Sequence, residues 1–331
     1  MNLGQHALES VVARLREGQG LRGKRLIRQA ARGLRASAGA IHNGDDAAAL
    51  PDPDGGYSLI AAEGMLPALV AREPYFAGLC AVMTNVSDIA AMGGRPRAIV
   101  DVLLASDDEA QTEAILEGLV AGARMFGVPI VGGHTGRHAA GACLAAAVLG
   151  KAQRLITSFD ARPGEVILAC IDVRGGFRAE SNNFDATTGR EPAEIRAQLE
   201  LLPQLAEAGL VRAGKDISMA GLVGTLLMLL ETSGCGARLD LAAVPAPELV
   251  PSPVRWLEAF PSFGYLLAVA PDQCDQVASR FHALGIAAAP IAQLCEGRAL
   301  EVVHRGEQCR YWDLGREPLM GFAPHEEASH A

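Results

Sequence analysis

The stretch Thr84–Pro96, Thr-Asn-Val-Ser-Asp-Ile-Ala-Ala-Met-Gly-Gly-Arg-Pro, constrains this chain more than any other. Pro74 to Met92 reads as one apolar helix, closed by Gly93 and Gly94 and stopped by Pro96. Inside it sit Asn85, Ser87 and Asp88. A carboxylate among Val86, Ile89, Ala90 and Met92 needs a partner, because an unpaired buried charge is costly. Asp88 is therefore either a helix cap or half of an ion pair, or else a metal ligand. The metal reading requires further carboxylates elsewhere in the chain.

The flanking elements alternate between strands and helices. Tyr57–Ala62 and the apolar run 97–104 read as strands, the second of them buried. Asp107 to Phe126 reads as a helix with Ile115, Leu119, Ala123 and Phe126 on one face and Gly127 just beyond its end. Val128–Val131 is a short strand delivering a loop, Gly132-Gly133-His134-Thr135-Gly136, and Ala139–Leu149 is a further strand-length run. At 331 residues two domains are expected, the first closing near Lys151.

The second domain opens with the strand Val166–Ile171, followed by a long polar loop from Gly175 to Gly189. Pro192–Ala208 and the apolar run after Asp216 read as helices. At the N-terminus, Leu8, Val11, Val12 and Leu15 share a helical face, the glycines of Gly18–Gly23 break it, and a second basic helix follows. The last residues, from Phe322, read as a polar tail.

A net charge of -9 and a pI near 5.4 argue against a nucleic-acid surface. No apolar run approaches the ~20 residues of a membrane span. Seven scattered cysteines without a C-x-x-C pair fit reduced thiols in a cytoplasmic protein.

Further carboxylates do occur at element ends and in glycine-flanked turns: Asp45 and Asp46 after Gly44, Glu63 after a strand, and Asp216. Magnesium, a hard cation, takes oxygen ligands of this kind and usually shares them with substrate phosphates. Gly132-Gly133 offers backbone N–H groups that phosphate oxygens can approach without a Cβ in the way. Neither a Walker A lysine loop nor a strand-linked G-x-G-x-x-G is present. The residues alone reach a soluble α/β protein with a candidate acidic metal site, and no further.

In order and spacing these pieces resemble the AIR synthase superfamily. It includes aminoimidazole ribonucleotide synthetase, thiamine-monophosphate kinase, selenophosphate synthetase and the hydrogenase-maturation dehydratase. Asn43-Gly44-Asp45-Asp46-Ala47-Ala48 looks like the family's GDDAA metal turn, and Asn85 to Gly94 like its N-x-S-D-x-x-A-M-G helix. Gly132-Gly133-His134-Thr135 looks like its nucleotide loop, and Asp216 to Leu222 like its D-x-[ST]-x-x-G-L segment.

The resemblance implies a two-domain α/β (α+β) fold. Residues 1–152 would bind ATP and magnesium and pair in a homodimer, residues 153–321 would form the C-terminal α/β layer, and 322–331 the tail. It also implies magnesium ligands at Asp46, Glu63, Asp88 and Asp216, with Asp45 in the same turn. Asn85, Gly132, Gly133, His134, Thr135 and Ser218 would surround the nucleotide.

The departures narrow the activity. Glu63 stands where the family usually has aspartate. His134 and the spacing of Asp216 to Leu222 are similar to selenophosphate synthetase, yet that enzyme's N-terminal loop with its catalytic cysteine and lysine has no counterpart. The dehydratase's cysteine tail has none either. An ATP- and magnesium-dependent phosphoryl-transfer enzyme acting on a small metabolite is therefore expected, either a kinase or a cyclase/dehydratase working through a phosphorylated intermediate. No general base stands out. A nucleotide-binding scaffold or regulator of a partner enzyme is the alternative. Arg178, Asn182, Asn183 and Asp185 form a polar cluster that is either a substrate-binding loop or a solvated one.

Overall fold

A computed structural model describes residues 1–4, 6–31, 43–138 and 140–322. The end of the basic N-terminal run, the first residue of the Ala139–Leu149 run and the tail beyond Phe322 lie outside the described residues. The chain forms two compact units, each discontinuous in sequence. One takes Asp46–Leu155 and Gly189–Glu207; the other takes Met1–Asp45, Ile156–Thr188 and Ala208–Ala331. Two segments thus cross the boundary that the sequence reading draws at 152/153. The N-terminal helices bury their apolar face in the core of the second half, and Ile195 and Leu199 pack into the core of the first.

The first of these units is a five-stranded sheet with helices on one face. Its strands are β1 (Ala48–Pro51), β2 (Tyr57–Gly64), β3 (Arg95–Ala105), β4 (Ile130–Arg137) and β5 (Cys143–Ala152), in the spatial order β1-β2-β5-β3-β4. Among the described residues of this unit only β3 and β4 pair in parallel, and the helix Glu109–Phe126 makes the crossover that such a pair needs. Leu59, Ile99, Leu103, Leu144 and Val148 alternate inward to the core.

Over that face lies the helix Pro74–Ala91, buried along nearly its whole length. It meets the helix Glu109–Phe126 backbone to backbone. A Cβ at Gly118 would stand 1.9 Å from the Tyr75 carbonyl oxygen, so only glycine permits the approach. Arg95, at the start of β3, pairs with Glu200 and Glu207 and so ties the helix Pro192–Glu207 into this unit. The opposite face of the sheet is apolar and exposed. Ile60, Val100, Val102, Val131 and Leu149 are each between 42% and 64% accessible.

The second unit is built on a seven-stranded sheet. Its strands are β6 (Val166–Ile171), β7 (Ala213–Asp216), β8 (Gly236–Asp240), β9 (Gly264–Val269), β10 (Ala287–Cys295), β11 (Ala299–His304) and β12 (Glu307–Asp313), ordered β12-β11-β8-β10-β6-β9-β7. The apolar helix Gly221–Ser233 is buried in its core. Near its end the Glu231 carboxylate accepts backbone N–H bonds from Leu319 and Met320 at 2.7 Å and from Gly321 at 3.2 Å, which fastens the end of the described chain. The helix Leu8–Arg16 buries the four residues its periodicity predicts. The break after it is shorter than expected, falling at Glu17 and Gly18: Gln19–Arg25 is again helical, with Gly18 as its cap.

Candidate functional site

Asn85, Ser87 and Asp88 lie on the buried second half of the helix Pro74–Ala91. The Asn85 amide donates to the carbonyl of Ala81, one turn back, at 2.8 Å and to that of Ala146 on β5 at 3.2 Å. Its Oδ1 is sealed from solvent and accepts no hydrogen bond from the protein. One turn on, Ile89 fits a notch in β5, where a Cβ at Gly150 would come within 2.5 Å of the Ile89 side chain. These two contacts fix the helix over β5 and hold Asp88 between them. Asp88 is 7% exposed, and Asp46, just before β1, is half-buried. The two carboxylates bring oxygens within 4.8 Å of one another. Carboxylates this close repel, and a divalent cation is the usual way such a pair is made favourable.

Cross-strand register adds a second carboxylate-bearing row. Glu63 on β2 stands opposite Ala146, Ala146 opposite Asp101 on β3, and Asp101 opposite Gly133 on β4. Because Ala146 is buried under the helices, Glu63 and Asp101 share its face of the sheet. Burial pushes the Asp101 carboxyl above the ordinary carboxylate range. Sequence reasoning assigns Asp101 no role, although a lone carboxylate in the apolar run Ala98–Leu104 is a signal of the kind that singled out Asp88.

The Gly-Gly-His segment differs from its expected form. It is no loop, because all of Ile130–Arg137 is strand, held by parallel pairing with β3 from Ile99 to Ala105. A Cβ at Gly133 would lie 2.5 Å from both the main-chain and a carboxylate oxygen of Asp101, so this glycine makes room for Asp101. Gly132 opposite Val100, and His134 opposite Val102, fall on the exposed outer face, away from the helix that carries Asp88. Thr135, opposite the buried Leu103, turns to the inner side.

In the other unit, Asp45 Oδ2 accepts the Ser158 N–H at 2.8 Å, which commits that oxygen to a loop contact. Asp216 ends β7 opposite Tyr265 and is 5% exposed. Just beyond, the Ser218 N–H donates to Thr225 Oγ1 at 3.2 Å, while the Ser218 hydroxyl oxygen is sealed from solvent and has no protein partner.

The Arg178–Asp185 cluster is satisfied largely within its own loop. Arg178 pairs with Asp185 at 2.9 Å, and Asp185 also accepts the N–H groups of Thr187 and Thr188. Burial works to raise the Asp185 carboxyl, but bonds from Thr188, Thr187 and Arg178 hold it below its ordinary value. Asn182 donates to Glu258 at 3.2 Å, and the Asn183 carbonyl accepts the Arg178 N–H. Arg255 clamps the loop through the carbonyls of Ala179 and Ser181, with its guanidinium 4.3 Å from the centre of the Phe177 ring.

Residues 44–152 match the family described as AIR synthase related protein, N-terminal domain, and residues 130–305 match its C-terminal domain. The uncharacterized protein sll0787 of Synechocystis is 46% identical over 284 residues, covering 86% of this chain and 87% of that protein. The uncharacterized protein MJ0640 of Methanocaldococcus jannaschii is 32% identical over 75% of this chain and 76% of its own. Phosphoribosylformylglycinamidine synthase subunit PurL of Methanosarcina mazei is 28% identical over 81% of this chain, which spans only 40% of that subunit.

Two solved structures show the shared fold. Thermotoga maritima PurL complexed with ADP superposes with a TM-score of 0.71 at 22% identity, over 94% of this chain and 50% of PurL. AaThiL complexed with AMPPCP and TMP superposes with a TM-score of 0.66 at 17% identity, over 87% of this chain and 96% of AaThiL. Among the described residues no helix is long and apolar enough to cross a membrane.

Proposed function

The chain belongs to the AIR synthase-related family, and on that footing we propose that it is an ATP- and magnesium-dependent phosphoryl-transfer enzyme acting on a small metabolite. The observation that carries this reading is the Asp46–Asp88 pair, within 4.8 Å; Asp88 lies on a helix whose Asn85 presents a buried oxygen with no protein donor. This all-oxygen set suits a hard divalent cation. Asp46 and Asp88 would hold magnesium; the motifs add Glu63 and Asp216 as further ligands. Bound magnesium would neutralise phosphate charge.

The protein's own contribution is binding and orientation. The Ser218 hydroxyl lacks a protein partner and would donate to a phosphate oxygen once the segment opens to the nucleotide, and Asn85 holds its amide in place over β5. The motif order adds Gly132, Gly133, His134 and Thr135 as nucleotide contacts. Nucleotide binding by relatives supports the assignment, since PurL of Thermotoga maritima has been solved with ADP and with ATP, and AaThiL with AMPPCP. The loop of Arg178, Asn182, Asn183 and Asp185 is the substrate-facing element, its internal pairs keeping its shape.

The protein acts as a homodimer, paired through the apolar outer face of the five-stranded sheet. An exposed face of that kind, with Ile60 beside Leu149 in register, is one that soluble proteins normally cover.

Calorimetry with Mg-ATP, followed by a metabolite screen for ADP release, tests the proposal. Binding that is lost in Asp88→Asn, with turnover on one acceptor, supports it. Wild-type affinity in Asp88→Asn removes the site. Glu63 in the aspartate position favours the scaffold reading, which predicts Mg-ATP binding with no ADP from any acceptor, and a partner enzyme that depends on the protein.

A further inference from the structure

The N-terminal helix Gln19–Arg25 precedes residue 44, where the family match begins. Its backbone nevertheless lies flush against the segment that follows Asp216. A Cβ at Gly20 would stand 1.8 Å from the Met219 carbonyl oxygen, 2.7 Å from its carbonyl carbon and 3.2 Å from Ala220 Cα. The obstacle is main chain, which cannot rotate aside as a side chain would.

The same segment is held from the other direction. Gly221 has φ +67°, and a Cβ there would come 2.1 Å from the Leu257 carbonyl oxygen. The Gly221 N–H donates back to the Ser218 carbonyl at 2.8 Å, and Thr225 fixes the Ser218 N–H. Met219 and Ala220 are thus pinched between two backbones, and Ser218 is one peptide bond from the pinch.

We infer that Gly20 is a positioning residue for Ser218, which makes the N-terminal helix one wall of the nucleotide-binding segment. The inference rests on the proposed role of Ser218 as a nucleotide contact. A methyl group at Gly20 must drive Met219 away, and Ser218 moves with it. Gly23, one turn on, provides the contrast. A Cβ there would meet only the flexible end of Met219, at 3.5 Å, an ordinary contact.

The test uses the full chain and two readouts, the Kd for Mg-ATP by calorimetry and the thermal midpoint without ligand. Gly20→Ala is expected to weaken Mg-ATP about tenfold or more while remaining folded at the assay temperature; tenfold corresponds to ~1.4 kcal/mol. Gly23→Ala is expected to keep its Kd within about twofold and to gain helix propensity, so its midpoint holds or rises. That split between affinity and stability is one a packing role alone would not produce.

Where Gly20→Ala fails to fold, Leu21→Ala replaces it, because the buried Leu21 seats the same helix beside Gly224; it too must raise the Kd. A folded Gly20→Ala, or in its place a Leu21→Ala, that binds Mg-ATP like wild type overturns the inference. A wild-type protein that does not bind Mg-ATP overturns the proposed function and this inference together, and the wild-type arm distinguishes the two failures.

Discussion

Replacing Asp88 by Asn should make the ligand-free protein more stable while disabling it. The carboxylates of Asp46 and Asp88 approach within 4.8 Å, and at an effective dielectric near 20 two unit charges at that separation repel by about 3.5 kcal/mol. Asp46 is half-buried, so solvent screens part of this, and about 1–2 kcal/mol is a fair expectation. An amide at position 88 relieves the repulsion, which for a protein of this size raises the thermal midpoint by about 1–3 °C. Mg-ATP at a hundred times its Kd should stabilise wild type by about 2.7 kcal/mol and the variant hardly at all. Differential scanning fluorimetry with and without Mg-ATP reads both effects. An apo midpoint that falls, or a full ligand-induced rise in Asp88→Asn, would refute the reasoning, because the repulsion from Asp46 would then not dominate at position 88.

Other measurements bear on the remaining features. Val102→Glu, on the exposed sheet face, should convert a particle of roughly twice the 34.6 kDa chain mass to a monomer by light scattering. Glu231→Gln turns an amide N–H toward the backbone N–H groups of residues 319–321 and should lower stability by about 2–4 kcal/mol in urea unfolding; a change below about 0.5 kcal/mol would show the nest to be incidental. Burial, ahead of the charges of Glu165 and Glu296, pushes the Cys235 thiol up to about 11. Its folded value thus lies above its ordinary one of 9.0, so its contribution to stability is full below pH 9 and is lost as pH rises toward 11. In the folded protein near pH 8, iodoacetamide should label the exposed Cys295 and spare the buried Cys235, as peptide mass mapping would record.

Where apolar periodicity ran long and ended in glycine, the sequence was enough to read the element. The helices Pro74–Ala91, Glu109–Phe126 and Gly221–Ser233 fall close to their expected limits, and Gly127 takes the left-handed cap its position suggests. Features that depend on distant partners were not legible. Gly132 to Thr135 looks like a loop because glycine is a poor strand former, and only the β3 register makes it strand. Gly18 to Gly23 looks like one long break because glycine is a poor helix former, yet the helix resumes at Gln19, and at Gly20 close packing against Met219 selects glycine. Ile195 and Leu199 announce a buried helix face without saying which core receives it. Asp88 and Asp46 were legible through their motifs, whereas Asp101 gains its interest only from the strands on either side.

The interleaving of the two units has a consequence for how the chain is made. Synthesis runs from the N-terminus at roughly 5–20 residues per second, and domains usually fold as they emerge. Here the five-stranded sheet is complete at Ala152, but Arg95 waits for Glu200 and Glu207. The helix Leu8–Arg16 emerges before the sheet, has Leu8, Val11, Val12 and Leu15 to cover, and belongs to a unit that continues past β12. Until then the nascent chain carries an uncovered apolar helix, a demand for chaperone protection. Separate production of residues 1–152 would leave that demand permanently unmet.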